Sequence, residues 1–216
     1  SSSAASDVYK RQEYIDRIPK IIIHKVNQEP KYINEEDLQR IFDYAPQFYS
    51  RVFKVYLDTG KRRSELIDGK LKGNLLIIPV VEGTKTKKPH SIKLTPQQID
   101  VIAELHRARD KHLKKGHALY NFKDRFTKIF TKVCKELNID GSLHSLRHSQ
   151  TVITYLETGD VLQVKKKLNH QQLSTSDDYA NMDEGIINDD FKDASKVAIE
   201  IEKLRKNAKG YNLRVQ

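Results

Sequence analysis

The sequence predicts a mainly α-helical domain with one small antiparallel β-sheet, an α+β fold. Three observations predict it. Apolar residues recur at helical spacing through most of the chain. Residues that start and stop helices bracket those stretches. One run alone, Leu75-Leu-Ile-Ile-Pro-Val-Val81, is too apolar and β-branched for a surface helix.

The elements follow in order. Asn34 is a good N-cap, with Asp37 three residues on, and Leu38, Ile41, Phe42 and Ala45 form a helical stripe that Pro46 stops. Phe48, Val52, Val55 and Tyr56 predict a second helix, ended near Gly60. Ser64 to Ile67 opens a short one. The strand at Leu75–Val81 pairs with the alternating stretch His90 to Leu94. Between them Glu82 to Pro89 forms a hairpin-like turn with three lysines. Thr95-Pro96-Gln97-Gln98 joins a cap, a proline at the first helical position and a glutamine that closes the capping box. That helix carries Ile99, Ile102, Ala103 and Leu105 inward. Residues 121–137 form the next, with Phe122, Phe126, Ile129, Phe130 and Val133. Residues 145–157, ended by Gly159, and Val161 to Leu168 add two more. Residues 184–207 read as one long amphipathic helix with Ile187, Phe191, Val197, Ile201 and Leu204.

Composition narrows the function. The chain has 216 residues, enough for one well-buried core. No run approaches the roughly 18 apolar residues of a transmembrane helix. The single cysteine, Cys134, excludes an intramolecular disulfide framework and a Cys-rich zinc module, and its place on an apolar stripe predicts burial. The net charge is +10, and it is uneven. Residues 51–110 carry +6 and residues 111–170 carry +7, while both ends are slightly acidic. A basic middle is either a solvated surface or the footprint of a polyanion such as nucleic acid. Residues 1–12 are small and polar without apolar periodicity and read as non-native adapter sequence; residues 13–30 read as a linker or the remnant of an N-terminal DNA-binding domain.

The polar motifs are weak one by one. His144-Ser-Leu-Arg147 is a His-x-x-Arg pair, which this composition yields about 0.4 times by chance. Leu168-Asn-His170 is followed by Tyr179 nine residues on, and ten tyrosines are available. Thr59-Gly-Lys-Arg62-Arg-Ser-Glu65 lies upstream, and Lys85 lies in the turn. His144 and His148 have helical metal-ligand spacing, but the His-Glu-x-x-His glutamate is missing.

Order and context give these pieces meaning. Together they resemble the catalytic domain of the tyrosine recombinases, the phage integrase family, over roughly residues 31–182. In that resemblance Arg62 is the first arginine, Lys85 the turn lysine, and His144 and Arg147 the His-x-Leu-Arg box. His170 belongs to the Leu-Gly-His box, and Tyr179 is the nucleophile. Asn169 stands where the family usually has glycine, and Lys61 and Arg63 occupy slots that are usually apolar.

The resemblance implies a catalytic domain at 31–183 and a helical tail at 184–216 that docks on a neighbouring protomer in a tetramer on synapsed DNA. It implies a site-specific recombinase that cuts and rejoins double-stranded DNA through a 3′-phosphotyrosyl bond, with no metal, ATP or other cofactor. Arg62 and Arg147 would neutralise the phosphorane-like transition state, with His144 and His170 as added donors or proton carriers. Lys85 would protonate the leaving 5′-oxygen, in competition with Lys87 and Lys88. Glu65 would orient an arginine. An accessory directionality factor is a further implied partner, and the implied location is cytoplasmic and nucleoid-associated, in a prokaryote or phage. Two alternatives stay open: a type IB topoisomerase-like DNA-relaxing enzyme, and a catalytically silent DNA-binding fragment.

Overall fold

The computed structural model describes residues 31–80, 89–168 and 184–197, together with 199, 200 and 203. The chain enters through Lys31 and Tyr32, and Ile33 is fixed at once. Its backbone N–H donates to Ser149 Oγ and its carbonyl accepts from the same hydroxyl, both at 2.8 Å.

Helix α1 spans Glu35–Tyr44, with Asn34 Oδ1 accepting from the Asp37 N–H at 2.8 Å. Helix α2 spans Gln47–Thr59 and α3 spans Arg63–Asp68. Three strands follow, β1 at Lys70–Lys72, β2 at Leu75–Ile78 and β3 at His90–Lys93. They form one antiparallel sheet in the order β1-β2-β3, with Leu71 opposite Leu76 and Leu76 opposite Ile92. Strand β1 is not expected from the sequence, because Lys-Leu-Lys offers one apolar residue and no alternation to read. Strand β2 ends at Ile78, three residues short of the predicted run, at the residue before Pro79. Pro79 lacks the N–H that a ladder needs.

Helix α4 covers Pro96–Lys114 and carries the predicted capping box. The Thr95 N–H donates to Gln98 Oε1 at 3.0 Å, and the Gln98 N–H donates to Thr95 Oγ1 at 3.3 Å. Helices α5 (Leu119–Glu136), α6 (Ser145–Thr158) and α7 (Val161–Leu168) complete the body. Helix α2 packs against α1, α4 and α6, and α3 packs against α4, α5 and β2. Phe53, Phe126 and Phe130 fill the centre, with Phe53 and Phe130 edge to face at 5.0 Å between ring centroids. Cys134 is buried on α5, as its stripe predicts.

The short α3 is anchored at its C-terminal end from α4. There His106 Nε2 donates to the Leu66 carbonyl at 2.9 Å and Arg109 donates to that of Ile67. Lys123 of α5 pairs with Asp68. A six-residue helix would fray alone, so these contacts hold it in place.

The tail differs from the single long helix that the periodicity predicts. Helix α8 covers Glu184–Asp190, a turn intervenes at Phe191, and helix resumes over 192–197. Ile187 and Phe191 are both buried in this chain's own core. The Phe191 ring lies 5.5 Å from that of Tyr32, Tyr32 Oη donates to Asp190 at 2.6 Å, and the Asp193 N–H donates to Glu35 at 3.1 Å. The stretch 184–197 therefore packs on its own domain through Ile187 and Phe191. Ile201 and Leu204 lie outside the described residues. No described helix is long and apolar enough to cross a membrane.

Phe191→Ala is expected to destabilise the isolated chain by about 3–5 kcal/mol, the usual cost of emptying a buried phenylalanine site. Urea unfolding of the free protein measures it; wild-type stability would mean that the tail is not part of the core.

Candidate active site

The site is built where three helix ends meet. Helix α2 stops at Gly60, whose backbone is left-handed at φ 59° and ψ 16°. Its N–H bonds back to the Tyr56 and Leu57 carbonyls. Glycine is needed here for a second reason. A Cβ at Gly60 would stand 2.1 Å from Leu168 Cδ2, inside contact distance. The end of α7 therefore closes directly onto the end of α2.

Beyond Gly60 the chain runs extended through Arg62, which stands at the N-cap of α3. Glu65 folds back on it twice. The Arg62 N–H donates to Glu65 Oε2 at 2.7 Å, and Arg62 Nη1 donates to Oε1 at 3.1 Å. The Arg62 side chain keeps 30% of its surface exposed, whereas that of Glu65 keeps 4%. Burial alone would raise the Glu65 pKa. The Arg62 N–H and the charges of Arg62, Arg147 and Lys61 outweigh it and hold the carboxyl below its ordinary value. Glu65 is thus a buried anion that holds the Arg62 guanidinium and backbone.

Arg147 comes from α6 and is 5% exposed. One arm of its guanidinium, Nη1, donates to the Gly60 carbonyl. The other, Nη2, donates to the Leu168 carbonyl at 2.7 Å. Both acceptors are carbonyls at helix C-terminal ends, where partial negative charge collects. Arg147 is therefore a structural clamp as well as a candidate phosphate ligand, a double role that no spacing in the sequence reveals.

His144 stands just before α6 and is exposed; its ring meets that of His148 edge to face at 4.7 Å. Burial, with the neighbouring His144 and Arg147, pushes the His148 pKa down to about 4. His148 is accordingly a half-buried, neutral imidazole packed on His144. Arg63 donates to the Lys123 carbonyl at 3.1 Å and to Thr127 Oγ1. It ties α3 to α5.

Arg62, His144 and Arg147 line one open cleft of about 490 Å³, together with Lys61, Arg63 and Ser64. Of the predicted site, the structure thus brings together Arg62, Glu65, His144 and Arg147. Lys85, His170 and Tyr179 lie outside the described residues. So does Asn169. Lys61 is the residue that sequence reasoning passed over. It is 3% exposed, and its ammonium donates to the Lys167 carbonyl at 2.8 Å. Its only sequence signal is a charge in a slot that is usually apolar.

Comparison with known proteins gives the family and the fold. The model of the phage integrase family matches residues 31–185, and the chain belongs to that family. Its fold is that of solved recombinases. The XerH site-specific recombinase bound to palindromic difH substrate in a post-cleavage complex superposes with a TM-score of 0.55 at 20% identity, covering 76% of this chain and 53% of that one. The XerA recombinase gives 0.54 at 15% identity, covering 75% and 64%. A lambda integrase tetramer bound to a Holliday junction gives 0.52 at 15% identity, covering 83% and 58%. The chain thus spans a little over half the length of the recombinases it matches first. No curated protein sequence matches it.

The histidine shift carries a sign. Folded His148 takes its proton near pH 4, against 6.5 for an ordinary histidine. Between those values the unfolded chain binds a proton that the folded chain refuses, so stability falls as pH drops through that window. His106, also shifted down by burial, adds to the same trend. His148→Gln is expected to flatten part of the decline in melting temperature between about pH 6.5 and 4; an unchanged slope would mean that His148 is not buried as described.

Proposed function

We propose that this chain is the catalytic domain of a site-specific tyrosine recombinase that cuts and rejoins double-stranded DNA. The observation that carries the proposal is the cleft in which Arg62, Arg147 and His144 converge over a buried Glu65. Family membership supplies the reaction class. The outer face of the sheet adds exposed Lys70, Lys72 and Lys93, with Lys72 and Lys93 both opposite Leu75. That is the charge distribution a DNA backbone requires.

The reaction is a transesterification at phosphorus. The Tyr179 phenolate attacks one backbone phosphate, forming a 3′-phosphotyrosyl bond, and the 5′-oxygen leaves. Phenol is a poor nucleophile near neutral pH, so nearby cations must favour its ionised form. The attack places extra negative charge on the non-bridging oxygens. Arg62 and Arg147 offer fixed, always-ionised donors to that charge, and Glu65 keeps Arg62 aimed so that little reorganisation is needed. His144 and His170 donate to the same oxygens, and Lys85 gives the leaving oxygen its proton. Rejoining is the same step in reverse, by a 5′-hydroxyl. The phosphotyrosyl bond conserves the energy of the broken ester, so the reaction draws on no ATP.

A tetramer on crossed DNA strands, the state in which lambda integrase was solved, is the working assembly proposed here too. The tail packs on its own domain through Ile187 and Phe191 and leaves Ile186 and Val197 exposed.

Nicked duplex DNA incubated with the protein in EDTA tests the reading. A covalent protein–DNA adduct on a denaturing gel is expected, absent in Tyr179→Phe. Arg62→Ala is expected to slow its formation about 100- to 1,000-fold, the usual cost of removing one donor to a developing oxyanion. Salt-sensitive DNA binding without an adduct would favour a silent binding module instead.

A further inference from the structure

The reaction described above gives Lys61 no part, yet its placement is costly. Lysine is almost never fully buried unless its charge is held by partners. At 3% exposure Lys61 lies among two other cations, Arg62 and Arg147, with the Glu65 carboxylate as the opposing charge. Its ammonium donates to the Lys167 carbonyl at 2.8 Å. Arg147 donates to the very next carbonyl, Leu168, at 2.7 Å. Two buried cations therefore grip two consecutive carbonyls at the C-terminal end of α7, the negative end of its dipole.

The same helix end is held on its other sides. With its amide turned so that oxygen meets the donor and nitrogen the acceptor, Gln150 on α6 accepts from Lys167 Nζ at 2.6 Å and donates to the Leu57 carbonyl on α2 at 2.9 Å. The Leu168 side chain fills the space that Gly60 leaves. Leu168 is two residues before His170 and eleven before Tyr179. The grip is thus applied at the root of the segment that must bring two reacting groups to the cleft.

We propose that Lys61 is a positioning residue: its buried ammonium, together with the Arg147 guanidinium, ties the last turn of α7 to the cleft and so sets where the segment bearing His170 and Tyr179 begins. This rests on the cleft being the DNA-cleaving site. Without Lys61 the Lys167 carbonyl loses its charged donor, and the backbone of the last turn of α7 is left to Arg147. The ammonium is also the part of the grip that pH can weaken. Burial lowers its pKa to about 8, opposed by Glu65 and assisted by Arg147 and Arg62. The neutral amine above that pH is a weaker donor to a helix end.

Lys61→Met keeps the apolar stem and removes the charge; Lys61→Arg keeps the charge. Hydrogen exchange on the full chain is expected to run about tenfold faster at the end of α7 in Lys61→Met, and to stay near wild type in Lys61→Arg. Adduct formation on nicked DNA is expected to fall about a hundredfold in Lys61→Met, with DNA affinity little changed, as for a misplaced reacting group. The rate of Lys61→Arg relative to wild type is expected to rise above about pH 8, where wild type loses its ammonium. Wild-type exchange at α7 in Lys61→Met, adduct formation at the wild-type rate, or a flat pH ratio each overturns the proposal. A wild-type chain that forms no adduct with any DNA would sink the reading of the cleft itself, and exchange at α7 would still decide whether Lys61 holds the helix.

Discussion

The guanidinium of Arg147 closes this structure. One side chain, buried on α6, binds the carbonyl that ends α2 and the carbonyl that ends α7. Those contacts join pieces of chain 87 and 21 residues away. Arginine suits the task because its planar fork presents two parallel donors and stays charged in any environment the fold provides. The left-handed Gly60 and the missing Cβ that admits Leu168 serve the same junction. The element that positions Arg62, Arg147 and the end of α7 is thus a single clamp.

That clamp produces a charge imbalance. Lys61, Arg62 and Arg147 lie close enough to perturb one another, and Glu65 is the carboxylate set among them. Burial does most to lower the Lys61 pKa, and the charges of Arg147 and Arg62 add to it against the pull of Glu65. The fold tolerates the strain because helix C-termini supply partial negative charge to two of the cations, and because Arg62 remains partly in water. In the proposed reaction an arriving phosphate would complete the balance, and its further negative charge at the transition state would meet donors already in place, the condition for electrostatic catalysis.

Much of this was legible in the sequence where local chemistry decides the outcome. The Thr95 capping box and the Asn34 cap form as their residue types require, and the phenylalanine stripe of α5 faces the core. Arg62, Glu65, His144 and Arg147 meet because helix starts and stops fix where each stands. Less was legible where tertiary packing decides. Strand β1 exists only because β2 offers it an edge; three residues with one leucine carry no signal of their own. The turn at Phe191 interrupts a helical pattern so that the ring can reach Tyr32. The burial of Lys61, and the use of Arg147 as a clamp, depend on carbonyls contributed by distant helix ends. A side chain's own sequence neighbourhood says nothing of those.

The central claim is that this cleft drives attack on DNA by a tyrosine carried on the segment that leaves the clamp at Leu168. Trypsin cuts after Lys167 and Lys192, so that segment emerges as one peptide, 168–192, with Tyr179 its sole tyrosine. Adduct formed on nicked DNA, digested with trypsin and nuclease and read by mass spectrometry, tests the claim directly. The account predicts a nucleotide phosphate on Tyr179 of that peptide and on no other. A nucleotide attached to a different residue, or cleaved DNA with free ends on both sides, would contradict it.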